Sequence, residues 1–214
     1  MSSPQDIAHP RFARWYMKCA EESEQRGAAE HRRRMLEGLT GRVVEVGSGH
    51  GLNFPHYPAT VTEVIAIEPE PTLRAAAEKA AVDAPVPVSV RPGTADELPL
   101  EDGSMDAAVA SLMLCSVPDQ GSALAEMKRV LRAGGELRFY EHVIASKQPL
   151  RGFLQLLEVT RVWPKLAAGC HPARDTGAAI KAAGFTIERQ ERFDFRAGPL
   201  EPRIPYILGI ARRA

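Results

Sequence analysis

Apolar positions change their period along the chain. From Pro10 to Leu39 the sequence is polar and helix-prone, with Phe12, Trp15, Tyr16 and Cys19 at three-to-four spacing, which predicts one or two amphipathic helices. After Gly41 short β-branched runs take over at 42–46, 61–67, 87–90, 106–111 and 136–141, with helical segments at Pro71 to Ala81 and Gln120 to Leu131 between them. Such alternation predicts a parallel sheet covered by helices on both faces. Ala133, Gly134 and Gly135 are expected to end the second of these helices and open the next strand. A stretch at 150–163 is too apolar to lie in solvent and is read as a helix over a pocket. A short helix at 176–183 ends at Gly184, and two last strands follow at 185–189 and 206–211, joined by a loop with three prolines.

Composition narrows the function classes. A chain of 214 residues, 44% hydrophobic, is long enough to bury its own core without disulfide or metal staples. Its 27 basic residues balance 27 acidic ones, which argues against nucleic acid or anionic lipid as the main partner. The run His31 to Arg34 is read as a solvated helix face, because acids at 21, 22, 24, 30 and 37 surround it. Three separated cysteines without a C-x-x-C pair predict a reducing compartment and no structural metal. The N-terminus lacks the apolar core of a signal peptide, and the longest apolar stretch, 107–117, is too short to span a bilayer. A cytoplasmic protein without a transmembrane segment, monomeric or weakly homodimeric, is expected.

The candidate chemistry centres on Gly47, Gly49 and Gly51, in a turn directly after a strand and before helical sequence. Glycines there let the backbone turn tightly and approach a ligand. A dinucleotide fingerprint would place its third glycine where this chain has Leu52, which disfavours NAD. Glu68 closes the second strand about twenty residues after the first glycine, where a carboxylate accepts both hydroxyls of a ribose. Loop and carboxylate together describe an adenosine-bearing ligand.

With Glu45 to Gly51, Ile67 to Glu70, Thr94 to Leu100, Asp102 to Asp106 and Arg129 to Gly135 in this order, the chain resembles the class I S-adenosylmethionine-dependent methyltransferases, in the branch with the ubiquinone-type enzymes. Asn53 to Pro58, Leu112 to Val117, Glu141 to Val143, and Gly169 to His171 with Arg174 are most similar to the methyltransferase-like proteins that methylate small-molecule thiols. Those carry an apolar N-terminal anchor that is missing here, so membrane association is not carried over. The resemblance implies an α/β, Rossmann-like seven-stranded sheet, mostly parallel with an antiparallel C-terminal strand. Residues 1–40 would form an N-terminal helical cap, and residues 41–214 the cofactor-binding domain, with a helical lid around 148–175.

Carried over to this sequence, the resemblance places the methionine end of the cofactor against Gly47, Ser48 and Gly49, with Glu45 near its ammonium. Glu68 holds the ribose, beside Pro69. Ala95 and Asp96 border the adenine, with Thr94 supplying a hydroxyl where many relatives have aspartate. Leu112 and Leu114 close over the cofactor, Asn53 completes the set, and Tyr16 reaches the cofactor's carboxylate from the N-terminal helix. S-adenosylhomocysteine would be the product.

On the acceptor side a thiol must be held as thiolate, its free pKa being about 8.5. His142, just past the fifth strand, is the first candidate, and His171 with Arg174 the second group. His50 and His56 are read as loop structure and Cys115 as a small buried apolar residue. Cys170 needs no covalent role when the cofactor is the electrophile. The leading expectation is S-methylation of a metabolite, a xenobiotic or a reduced disulfide antibiotic. The alternatives are N-, O- or C-methylation of a lipid, quinone or secondary metabolite, and a non-catalytic cofactor-binding module.

Overall fold

In a computed structural model, which describes residues 8–145, 152, 171, 173–199 and 203–214, the β-branched runs assemble into one sheet. Strands β1 (Gly41–Val46), β2 (Val61–Ile67), β3 (Val88–Arg91), β4 (Met105–Ser111), β5 (Leu131–His142), β6 (Phe185–Phe195) and β7 (Ile204–Arg213) follow the order β3-β2-β1-β4-β5-β7-β6. β1 to β5 pair in parallel, and β7 runs antiparallel to both β5 and β6. β6 therefore points the same way as β5. The fold is that of the class I methyltransferases, as expected.

The central strands are covered on both faces, which is why β1 and β4 read as nearly continuous apolar runs. Alternation divides their side chains between two cores. Val44, Val46, Ala108, Ala110, Leu137 and Phe139 face one, with Leu124, Met127 and Ile180 of helices α4 (Gln120–Val130) and α5 (Thr176–Ala182). Val43, Val64, Ala107, Val109 and Tyr140 face the other, with Met35, Leu36 and Ala77 of α2 (Ala29–Leu36) and α3 (Pro71–Ala81). Helix α1 (Pro10–Ser23) precedes α2 and packs on α3. Edge strand β6 carries exposed charged residues along its outer half, which blunts an edge that would otherwise recruit another strand.

Helix starts follow local chemistry. Pro71 opens α3, and the Glu70 carboxylate accepts from Leu73 N at 2.7 Å. Asp119 and Asp175 cap α4 and α5 by accepting from Gly121 N (2.8 Å) and Ala178 N (3.0 Å). The predicted Pro71 to Ala81 helix is matched end to end.

Three expectations need correction. Helix α4 stops at Val130, and Ala133 to Gly135 lie inside β5, where the register against β4 shifts between Met105 and Ala107. The glycines thus accommodate a bulge instead of ending a helix. The last two strands are longer than predicted, because their outer residues alternate charge with partial burial and lack a plain apolar signature. The His31 to Arg34 run is only partly solvated: Arg33 pairs with Glu30 in solvent, while Arg32 is buried and His31 stands among aromatic rings. The helix predicted at 150–163 lies, apart from Gly152, outside the described residues.

Candidate functional site

Strand order reverses between β1 and β4, so the ends of these two strands flank the crevice where open α/β sheets take their ligands. After β1 the chain turns through Gly47, Gly49 and Gly51 at φ of 69°, 59° and 89°, a region costly for residues with a side chain. The glycines do different work. A Cβ on Gly47 would meet Met113 Cβ at 2.9 Å, so that position is dictated by packing. On Gly49 the nearest atoms would be those of the Tyr16 ring, at 3.7 and 3.8 Å, leaving room between loop and α1.

The loop is tied to β2. Gly47 N and Ser48 N donate to Ile67 O at 2.8 and 3.2 Å. Glu68 accepts from Gly49 N at 2.8 Å through one carboxylate oxygen and from Glu70 N at 2.9 Å through the other. Burial pushes Glu68 up to about 7, although the Glu70 and Gly49 N–H groups oppose that shift. Each oxygen keeps a second lone pair, the pattern a ribose diol needs.

Behind the loop lies a buried polar chain. Glu45 accepts from Tyr57 OH at 2.6 Å and from Asn53 Nδ2 at 2.9 Å. Asn53 Oδ1 accepts from Arg32 Nη1 at 3.0 Å, and the same nitrogen donates to Ser111 Oγ at 2.8 Å. Arg32 Nε pairs with Glu24 at 2.9 Å. Burial pushes Glu45 up to about 7 and the Tyr57 phenol well above its usual range. Glu45 and Asn53, both named as cofactor candidates, hydrogen-bond to each other; Arg32, Tyr57 and Ser111 were not anticipated. The one available signal was helix phase, since Arg32 shares a face of α2 with buried Leu36.

After β4, Leu112 takes a positive φ of 57°, rare for a residue with a side chain. Its N–H donates to Tyr140 O at 2.8 Å. The next three N–H groups converge on the buried Glu141 carboxylate, from Met113 and Leu114 at 2.9 Å and from Cys115 at 3.3 Å. Burial pushes Glu141 up, and the converging N–H groups and His142 oppose the shift. This clamp, unforeseen in the sequence, fixes the turn against β5. It also separates the two leucines: Leu112 is partly exposed, whereas Leu114 is fully buried in the α4-side core.

Thr94 bridges to Glu97, Ala95 leans on the α4-side core, and Asp96 is exposed. A Cβ on Gly93 would lie 2.8 Å from Ile67, so this segment runs close beside the end of β2, next to Glu68 and Pro69. Tyr16 contacts His50 edge-on at 6.0 Å. Burial raises its hydroxyl pKa, which Arg32 lowers and Glu68 raises. His50, read as loop structure, is pulled down to about 4 by burial and remains neutral. Ser48 Oγ and His50 Nε2 are buried without a hydrogen-bond partner among the described residues. Such orphaned atoms on the loop fit a polar ligand in front of Gly49.

On the acceptor side, His142 ends β5 with its ring edge-on to Tyr206 at 5.8 Å. The Arg174 guanidinium donates to the carbonyls of Leu114 (2.9 Å), Val117 (2.6 Å) and Pro118 (3.3 Å). His171 N donates to Cys115 O at 2.8 Å. Arg174 and His171 thus brace the turn after β4, while His142 stands at the end of the sheet. Cys115 is buried, its Sγ 3.6 Å from Leu112 O, as a small core residue. Cys170 lies outside the described residues, and among these no helix is long and apolar enough to cross a membrane.

Comparison with known proteins gives the family. The methyltransferase domain family matches residues 44–139. Thiol S-methyltransferase TMT1B of Homo sapiens is 36% identical over 82% of this chain and 73% of that protein. Thiol S-methyltransferase TMT1A of Homo sapiens is 34% identical over 79% of this chain and 69% of its own length. Among solved structures, a SAM-dependent methyltransferase from Thermotoga maritima, described as a possible histamine N-methyltransferase, superposes with a TM-score of 0.70 at 23% identity, covering 96% of this chain and 98% of that one.

Proposed function

The chain belongs to the family of S-adenosylmethionine-dependent methyltransferases that includes the thiol S-methyltransferases, and from that premise we propose that it methylates the thiol of a small molecule. The observation that carries the acceptor class is likeness to thiol S-methyltransferases over four-fifths of the chain, together with His142 at the ligand edge of the sheet.

The cofactor supplies an electrophilic methyl group on a sulfonium, so the protein's task is chiefly orientation and exclusion of water. Glu68 would accept from the ribose hydroxyls, and Glu45, steadied by Asn53 and Tyr57, would face the ammonium. Tyr16 and Ser48 would supply hydroxyls at the carboxylate end. Leu112 would cover the ligand from β4, while Thr94, Ala95 and Asp96 would border the adenine. His142 receives the proton of the acceptor thiol. The bound cofactor would supply its methyl group to that thiolate and depart as S-adenosylhomocysteine, so the chain's own part is to hold the sulfur in line with it. Arg174 and His171 act as positioning residues through the turn they brace.

The attacking atom is tested by acceptor acidity. His142→Ala is expected to lower turnover of an alkanethiol by about 10²–10⁴ at neutral pH, the usual range for a positioned acid–base group. Turnover of an arylthiol, already ionised at that pH, should fall far less. Initial rates against pH for both acceptors check this; equal losses on both would remove His142 from proton transfer.

A further inference from the structure

Arg26, Arg196 and Arg203, with Asp194 and Phe195, line an open cavity of about 470 Å³. None of the three guanidinium groups makes an ion pair or hydrogen bond among the described residues. Arginines nearer the middle of β6 are satisfied: Arg34 pairs with Glu191, and Arg192 donates to Ile144 O. Elements distant in sequence bring the cluster together. Arg196 and Arg203 flank the last aligned pair of β6 and β7, Phe195 and Ile204. Arg26 comes from the turn between α1 and α2, where Gly27, at a φ of 120°, lies against the Phe195 ring. Three cations facing one carboxylate, Asp194, repel one another, and an anion in the cavity relieves that repulsion.

The cavity opens at the acceptor edge. β6 points the same way as β5, and Tyr206 is in register with both Phe193 and His142. The Phe195 and Tyr206 rings lie 5.6 Å apart, and those of Tyr206 and His142 5.8 Å apart. An aromatic floor thus joins the arginines to His142. Two interstrand steps of about 4.8 Å separate β5 from β6, so the anion would sit several bonds from the reacting sulfur.

We propose that Arg26, Arg196 and Arg203 bind an anionic group, carboxylate or phosphate, carried by the acceptor at the end of an apolar spacer whose other end is the thiol. The proposal rests on the thiol reading above and deepens it. The test compares mercaptohexanoate with mercaptohexanol, the thiol at the far end of each, on the full chain. The acid should show about a tenfold higher kcat/KM, as expected for a charge-assisted contact, and added salt should shrink the advantage. In the Arg196→Gln/Arg203→Gln protein the acid-to-alcohol ratio should fall toward one. Equal kcat/KM values in the parent, or a ratio unchanged in the variant, would overturn the proposal.

If neither thiol is methylated, the thiol reading fails, and the anion site is judged by calorimetry with methylthiohexanoate in the presence of S-adenosylhomocysteine. Binding in the parent that the double variant loses sustains the site; absence of binding in the parent overturns it. Arginine-dependent sedimentation with phosphatidylglycerol vesicles, without discrimination between the two thiols, would assign the cluster to a membrane surface and overturn the acceptor site.

Discussion

Gly49→Val is expected to abolish S-adenosylmethionine binding in calorimetry while leaving the circular dichroism of the fold in place. The substitution fills the space between the loop and Tyr16, whose ring is the nearest neighbour of a Cβ at that position. Backbone strain contributes as well, since φ is 59° there and the left-handed region costs roughly 1–2 kcal/mol for a residue with a side chain. Gly49→Ala carries the same strain with little of the bulk, so its smaller loss separates the two causes. Glu68→Ala should weaken binding by about 1.5–3 kcal/mol, the range for hydrogen bonds to a charged group. It should also flatten the pH dependence. With Glu68 raised to about 7, the ligand-free fold favours the protonated acid. The stability this contributes is fully present below the unfolded carboxylate pKa and is lost as pH rises through 7. Ribose hydroxyls favour the ionised form, so cofactor binding should tighten as pH rises toward 8 and should release protons. Affinity independent of pH in the parent protein would contradict this role for Glu68.

The second large effect lies outside the cofactor contacts. Arg32→Met should destabilise the protein by about 3–5 kcal/mol, because it leaves buried Asn53 and Ser111 short of a donor and Glu24 without its cation. For a chain of this length that corresponds to a fall in Tm of roughly 6–20 °C. Arg32→Lys should recover little, since one ammonium does not reproduce the forked contacts to Glu24, Asn53 and Ser111. Arg33→Met, one residue along, removes only an exposed pair with Glu30 and should change stability by less than about 1 kcal/mol. Thermal melts of the three variants test the contrast; equal losses at Arg32 and Arg33 would contradict the buried chain.

That contrast marks where sequence reading stops. Three consecutive arginines are alike in composition, and only the phase of α2 turns Arg32 inward. Two of its partners, Asn53 and Ser111, lie 21 and 79 residues away, so no local spacing announces them. Glu141 is similar, a carboxylate on a strand whose partners are three backbone N–H groups 26 to 28 residues before it. Features coded locally were legible. Glycines after an apolar strand and an acid at the end of the next mark the candidate cofactor loop, and Gly49 N does meet Glu68 at 2.8 Å. Pro71 after a capping glutamate reveals the start of α3. Between these extremes stand Ala133 to Gly135, where a helix stop and a strand bulge have the same composition and only pairing with β4 decides.

The central claim, methyl transfer from S-adenosylmethionine to a thiol, is tested most directly by incubating the protein with cofactor labelled at the methyl group and a matched panel of thiols, phenols, amines and alcohols, and reading products by mass spectrometry. The account predicts labelled methyl thioethers from the thiols, formed in step with S-adenosylhomocysteine, and no labelled product from the other acceptors. Labelled amines or ethers with unmodified thiols would contradict it.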